Sequence, residues 1–165
     1  MKTETPPPSQ EELRKLAEEL IREQNTMTLS TAIKDAAWAA PVYYAHLAFK
    51  LYFFSDPGSR HIQEALASRQ AAAAIFHPSS TWKEIRGIQM SGALHPVSIG
   101  LESVRALRAY LKKFPFTHDF FDSGETLDLD GFAKRFRVRL YRFQPDLFYY
   151  MDNRIRFGFR EIIKL

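Results

Sequence analysis

The stretch LYFFSDPGSRHIQEAL, residues 51–66, decides how the rest of the chain is read. Leu51 to Phe54 is a short apolar run rich in aromatic residues, which reads as a strand. Pro57 and Gly58 then reverse the chain. Ser59 stands at the N-cap position of a helix over 59–70. The first amides of a helix have no intrahelical acceptor, and the dipole is positive there. Arg60 adds a planar fork of donors, His61 another donor, and Ser55 a further hydroxyl. In chemical terms this is a cradle for a phosphate. The plain alternative is that serine caps many helices that bind nothing, with the arginine solvated. These residues alone leave both readings open.

Working outward, TMTLSTAI (26–33), WAAPVYYAHL (38–47) and KLYFFS (50–55) read as three strands. The link between the last two is too short for a crossover, so they pair as a hairpin. Pro41 lacks an amide hydrogen and belongs at an edge or near a strand start. Upstream, residues 9–25 read as a helix. Ser9 and Glu12 have capping-box spacing, and Leu13, Leu16, Leu20 and Ile21 share a face. Residues 1–8 read as a flexible or polyproline leader.

Downstream, AAAAIFH (71–77) reads as a strand. IRGIQMSGALHPVS (85–98) reads as a long strand, and its glycines at 87 and 92 suggest a bulge or a close approach. LESVRALRAYLKKF (101–114) reads as a helix with Leu101, Val104, Leu107 and Leu111 on one face. Residues 115–136 read as irregular, with a helical turn or two. Residues 136–152 read as one strand, or two broken at Pro145, and 158–165 as a last strand. Strands come mostly as hairpins with few helices between them. The expected fold is a single domain over 9–165, mainly β within the α+β class: an antiparallel β-barrel with flanking helices.

Composition narrows the chemistry. The 165 residues are 45% hydrophobic, enough for one domain with a real core. The absence of cysteine excludes disulfides, zinc–thiolate sites, iron–sulfur clusters and thiol nucleophiles. No apolar run is long enough to span a bilayer, and the start of the chain has no apolar signal segment. A soluble, cytoplasmic protein without a membrane partner is the expectation. The net charge of +4 suits an anionic ligand. In KRFRVRLYRF (134–143), Phe136, Val138 and Leu140 alternate with Arg135, Arg137 and Arg139. This favours a half-buried strand with a solvated arginine face over a single-strand-binding barrel, so nucleic acid is not the expected partner. The five histidines show no metal-ligand spacing. FPFTHDFF (114–121) reads as core or interface anchors, or alternatively as the apolar wall of a pocket.

The order strand, FFSDPGSRH, helix resembles the phosphate-binding segment of the pyridoxamine-phosphate-oxidase-like family, the FMN-binding split barrels. In that family the strand ends in an aromatic residue plus Thr or Ser. A turn then leads to Ser-Arg-Lys, and these groups hold the FMN phosphate. The matching positions are Phe54, Ser55, Ser59, Arg60 and His61, with histidine replacing the usual lysine. TMTLSTAI resembles the family's opening strand. APVYYAHLAFKLYFFS resembles its next hairpin, whose first strand lays backbone groups against the isoalloxazine ring. That implies Val42, Tyr43 and Tyr44 near the ring. RGIQMSGALHPV resembles the strand in which an arginine precedes a glycine by six positions, here Arg86 and Gly92. Where the oxidase has a flavin-contacting glutamine after that arginine, this chain has Gly87. YYMDNRIRFGFRE resembles the ending of an uncharacterised branch of the superfamily. The oxidase's C-terminal substrate-binding Arg and His residues find no match beyond Arg160.

The resemblance, spanning roughly residues 26–162, implies a split β-barrel that binds FMN. It also implies a homodimer with the cofactor at the subunit interface, and flavin-dependent oxidoreductase chemistry on a small-molecule substrate. One of the arginines at 135–139 could then reach a phosphate across the interface. The alternative is a non-enzymatic binding module of the same fold, holding haem, another flavin-like cofactor or nucleic acid. For haem, His61, His95 and His118 are the candidate axial ligands.

Overall fold

The computed structural model describes residues 7–120 and 129–165. Most of the leader and the side chain of His118 lie outside the described residues. The elements are α1 (Gln10–Glu23), β1 (Thr26–Ile33), β2 (Ala36–Tyr43), β3 (Ala45–Leu47), β4 (Lys50–Ser55), α2 (Arg60–Ser68), β5 (Ala71–Phe76), β6 (Arg86–Pro96), α3 (Leu101–Lys113), α4 (Leu129–Phe136), β7 (Arg139–Asp152) and β8 (Arg160–Ile162). Short 3-10 helices lie at Trp82–Glu84 and Pro115–Phe120. All strand pairs are antiparallel.

The sheet runs β2-β1-β5-β6-β7-β4-β3, with β8 added to β7. Its first and last strands, β2 and β3, are consecutive in the chain and separated by Tyr44 alone. One bent strand therefore serves both ends of the sheet, which curls it into a barrel. Tyr44 is fully buried at the bend. Its amide donates to the Asn25 carbonyl (3.2 Å) and its hydroxyl to the Ile21 carbonyl (2.8 Å). Pro41 lies in β2, which has a neighbouring strand on one side only, so its missing N–H breaks no inner ladder.

The barrel interior takes alternate residues of every long strand, among them Met27, Leu29, Phe53, Ile88, Phe143 and Phe148. The apolar face of α1 and the residues Ile62 and Ala65 of α2 join the same core. The capping box of α1 is made in full by Ser9 and Glu12. Outside β4, α3 and α4 cover Tyr52 and Phe54, so β4 is buried on both faces. That is why Leu51 to Phe54 is a continuous apolar run rather than an alternating one.

Two expectations change. Helix α3 buries Ser103, Ala106, Leu107 and Tyr110, while Leu101 and Val104 are 79% and 50% exposed. The helix carries two apolar stripes, and the small Ala106 lets the second pack against Tyr52 and Leu140. The expected helical turns of the 115–136 segment include α4 over 129–136. Arg137 then takes a left-handed conformation (φ 54°), so of the three alternating arginines only Arg139 is in a strand. Finally, β7 is continuous through Pro145. Opposite Ser91 and Gly92 the register skips Asp146, so the bulged residue lies in β7 beside Pro145. A Cβ on Gly92 would stand 2.1 Å from the Gln144 carbonyl oxygen and 2.7 Å from Pro145 Cα.

The segment after β7 folds back on itself. Asn153 donates to the carbonyls of Ile85 (2.9 Å, amide) and Trp82 (2.7 Å, side chain) and accepts from the Gly158 amide (3.0 Å). Gly158 has φ +70°, a conformation that glycine reaches without strain. Among the described residues no helix is long and apolar enough to cross a membrane.

Candidate functional site

The end of β4 and the start of α2 are joined by a tight turn. The Asp56 carboxylate accepts from the Gly58 amide (2.7 Å), and the Ser59 amide donates to the Asp56 carbonyl (3.0 Å). The turn brings Ser59 back against Ser55, with 3.2 Å between hydroxyl oxygens. His61 Nε2 lies 2.9 Å from Ser55 Oγ and 3.3 Å from Ser59 Oγ. Ser59 Oγ donates its one proton to the Asp56 carbonyl (2.8 Å). The tautomer with the proton on Nε2 satisfies the remaining contacts. His61 donates to Ser55, Ser55 donates to Ser59, and the chain ends on the Asp56 carbonyl.

Ser59 has the backbone conformation of an N-cap but makes no side-chain cap bond. The expected cap is therefore made by the main chain only. Among the described residues no side chain accepts from the first-turn amides of α2, because the Ser59 hydroxyl is committed to Asp56. Burial lowers the pKa of His61, so at neutral pH it is an N–H donor without charge.

The Arg60 side chain does not join this trio. Its Nε donates to Glu64 Oε1 (2.6 Å), one turn along α2. Glu64 Oε2 accepts from Thr31 Oγ1 (2.6 Å). The Arg60 guanidinium lies over the Trp38 ring, 4.7 Å from its centroid. Thr31 and Trp38 are paired residues of β1 and β2. The hydrogen bonds from Thr31 and then Arg60 hold the Glu64 carboxyl below the usual range, so it stays ionised. The i, i+4 spacing of Arg60 and Glu64 was the one signal of this group in the sequence. The cross-strand pair beneath it was not visible there.

The other sequence-derived positions are spread more widely. Val42 and Tyr44 point their side chains into the core, and Tyr43 between them is 54% exposed. Any contact from Val42 or Tyr44 to a ligand would use main-chain groups. Phe54 packs under α3 and α4 against Phe132 and Tyr110, at 4.4 and 5.1 Å between centroids. Arg86 pairs with Glu23 (3.0 Å) and sits opposite Asp152, whereas Ser55 sits opposite Arg139. Arg86 is thus at the far end of β7 from the serine–histidine trio. His95 is exposed on β6.

An open cleft of about 440 Å³ lies elsewhere, lined by Ser30, Thr31, Ser68, Gln70, Ser91 and Asp146 among others. It shares Thr31 with the Glu64 contact but does not contain the trio.

Beneath Tyr44, Lys113 of α3 donates to the carbonyls of Ile21 (3.1 Å) and Gln24 (2.6 Å) and lies 4.0 Å from the Tyr44 ring centroid. It thereby ties α3 to the C-terminal end of α1. Burial brings its pKa down to about 8. Burial, then Lys113 and Arg22, push His46 down to about 4. His46 binds its proton more readily when unfolded, so its contribution is present above pH 6.5 and lost as the pH falls toward 4. We expect roughly 2 kcal/mol of stability to disappear across that window, a value discounted for partial exposure. His46→Gln should flatten this part of the urea-midpoint profile against pH. An unchanged slope would place the acid sensitivity elsewhere.

No family model matches the chain. It is 30% identical over 97 residues to the UPF0306 protein YhbP of Salmonella schwarzengrund, a match covering 58% of this chain and 65% of that protein. The chain thus spans slightly under two thirds of the curated relative. Among solved structures it is similar to a heme binding protein from Mycobacterium smegmatis (17% identity, TM-score 0.67, 96% of this chain and 58% of that one). It is similar to a candidate pyridoxamine 5'-phosphate oxidase from Listeria innocua (12%, 0.64, 86% and 99%). It is also similar to a FAD-binding protein from Mesorhizobium loti (14%, 0.59, 79% and 88%). Proteins of one architecture here carry flavin or haem. The strand order, the antiparallel barrel and these neighbours together establish that the chain has the split-barrel fold of the pyridoxamine 5'-phosphate oxidase-like proteins.

Proposed function

We propose that the chain binds FMN, with the phosphate at the junction of β4 and α2. The observation that carries this reading is the Ser55–Ser59–His61 trio beside first-turn amides that no side chain caps. The helix amides and the nearby Arg60 offer donors to a phosphate, and the Ser55, Ser59 and His61 protons, bonded to one another and to the Asp56 carbonyl in this structure, would turn from those partners to join them. The isoalloxazine ring would lie along the main chain of β2 at Val42, Tyr43 and Tyr44. A homodimer with the cofactor at the subunit interface would complete the site, acting in the cytoplasm on a small-molecule substrate. Bound flavin supplies electron or hydride transfer, and the protein's part is to anchor, orient and desolvate it.

Haem is the second reading, supported by the likeness to the Mycobacterium smegmatis protein. Here His61 Nε2, the nitrogen that would meet the iron, is engaged by two serine hydroxyls. A protonated Nε2 has no lone pair for iron, whereas a phosphate needs only a donor there.

The absorption spectrum of purified protein, and of protein titrated with FMN and with hemin, tests the choice. Flavin bands should appear and saturate with FMN. A Soret band with no flavin uptake would replace this reading by the haem one. Arg60→Ala should weaken FMN by about 1.5–3 kcal/mol, the scale of a charge-assisted hydrogen bond. Riboflavin, which lacks the phosphate, should be indifferent to the change. An equal loss for both ligands would remove Arg60 from the phosphate site.

A further inference from the structure

We infer that Glu64 is a positioning residue: supported by Thr31 and working with Trp38, it fixes the Arg60 guanidinium so that its two terminal nitrogens face a phosphate at the start of α2. The inference rests on the FMN reading above and adds residues that the family resemblance does not include. An arginine in the first turn of a helix is ordinarily a solvated side chain with many rotamers, and ordering it on binding costs affinity. Arg60 is held on two sides. Its Nε donates to Glu64 Oε1 at 2.6 Å, and its flat face rests on the Trp38 ring. The terminal nitrogens make no hydrogen bond among the described residues, and the side chain is 45% exposed. The two nitrogens that form a bidentate fork are therefore the ones left open.

Glu64 is itself fixed. It is 8% exposed and accepts the Thr31 hydroxyl at 2.6 Å through its other oxygen. Thr31 and Trp38 face each other in the β1–β2 pairing, so both supports stand on the rigid wall of the barrel. A site built on strands holds its geometry better than one built on a loop. The competing reading is that Glu64 occupies Arg60 and must release it before a phosphate can bind. The two readings predict opposite signs.

The measured quantity is the ratio of FMN to riboflavin dissociation constants in the full-length wild type, Glu64→Gln, Thr31→Val and Trp38→Leu. Thr31→Val removes only the hydroxyl that orients Glu64 and keeps the side-chain shape. It preserves the test if Glu64→Gln is poorly folded. Loss of the orienting group should lower the preference for FMN about tenfold, the scale seen when partners behind a ligating residue are removed. Riboflavin affinity should hold, and Trp38→Phe, which keeps an aromatic face, should restore most of the preference. A ratio unchanged in Glu64→Gln and Thr31→Val, or FMN bound more tightly, overturns the inference while leaving FMN binding intact. A wild type with no preference for FMN over riboflavin overturns the functional reading, and the inference with it.

Discussion

Gly92→Ala should destabilise the fold by roughly 3 kcal/mol or more, a large share of the roughly 5–15 kcal/mol that ordinarily holds a domain folded. The bulge between β6 and β7 sets the Gly92 backbone against Gln144 and Pro145. An added methyl would stand 2.1 Å from a carbonyl oxygen. That neighbour is main chain of the sheet, so it cannot move aside like a flexible side chain. Relief would require moving β7, which pairs with β6 on one side and β4 on the other. Chemical denaturation of wild type and variant measures the loss. A midpoint shift equivalent to less than about 1 kcal/mol would show that the bulge is softer than its geometry implies. Gly100→Ala is the control, because nothing lies within 4 Å of a Cβ there.

Asp152→Ala should cost about 3 kcal/mol for a different reason. Asp152 is 1% exposed. Its Oδ1 accepts from the Arg154 amide (2.9 Å) and Nε (3.0 Å), and its Oδ2 from Arg154 Nη2 (2.7 Å) and the Tyr150 hydroxyl (2.8 Å). Removing the carboxylate leaves the buried Tyr150 hydroxyl without its acceptor and the Arg154 charge without its partner. Burial opposes ionisation of Asp152 most strongly, yet the bonds from Arg154 and Tyr150 outweigh it and the net pKa is lowered. Its stabilisation is thus present above the ordinary aspartate pKa and lost as the pH falls through the lowered value. Asp152→Asn should show an intermediate loss without the acid-dependent part. Equal stability of wild type and Asp152→Ala at neutral pH would mean that the carboxylate only breaks even against burial.

The elements that were legible are those fixed by local chemistry. The strands TMTLSTAI and KLYFFS coincide with β1 and β4, and the Ser9–Glu12 box opens α1 as its spacing requires. The order of hairpins was enough to reach a barrel. What could not be read was which of two competing surfaces a partner element would choose. On α3 both stripes are apolar, and packing against Tyr52 and Leu140 decides between them. At Arg60 the sequence shows the donors but not Trp38, which the β1–β2 register brings beneath the guanidinium. The cap at Ser59 failed as a side-chain bond because the carbonyl of Asp56, three residues back, competes for the same hydroxyl.

Tyr44 joins the two ends of the sheet through the chain itself. A seam of this kind is covalent, so no ladder of hydrogen bonds is needed to close it. The outer edge of β2 therefore keeps its peptide groups, with no main-chain partner on that side among the described residues. A flat heterocycle whose rim alternates donors and acceptors could be read there by peptide groups alone. Recognition written in main chain survives replacement of nearly every side chain around it. Substitutions at Tyr43 should then be far better tolerated than any change that straightens the bend at residue 44.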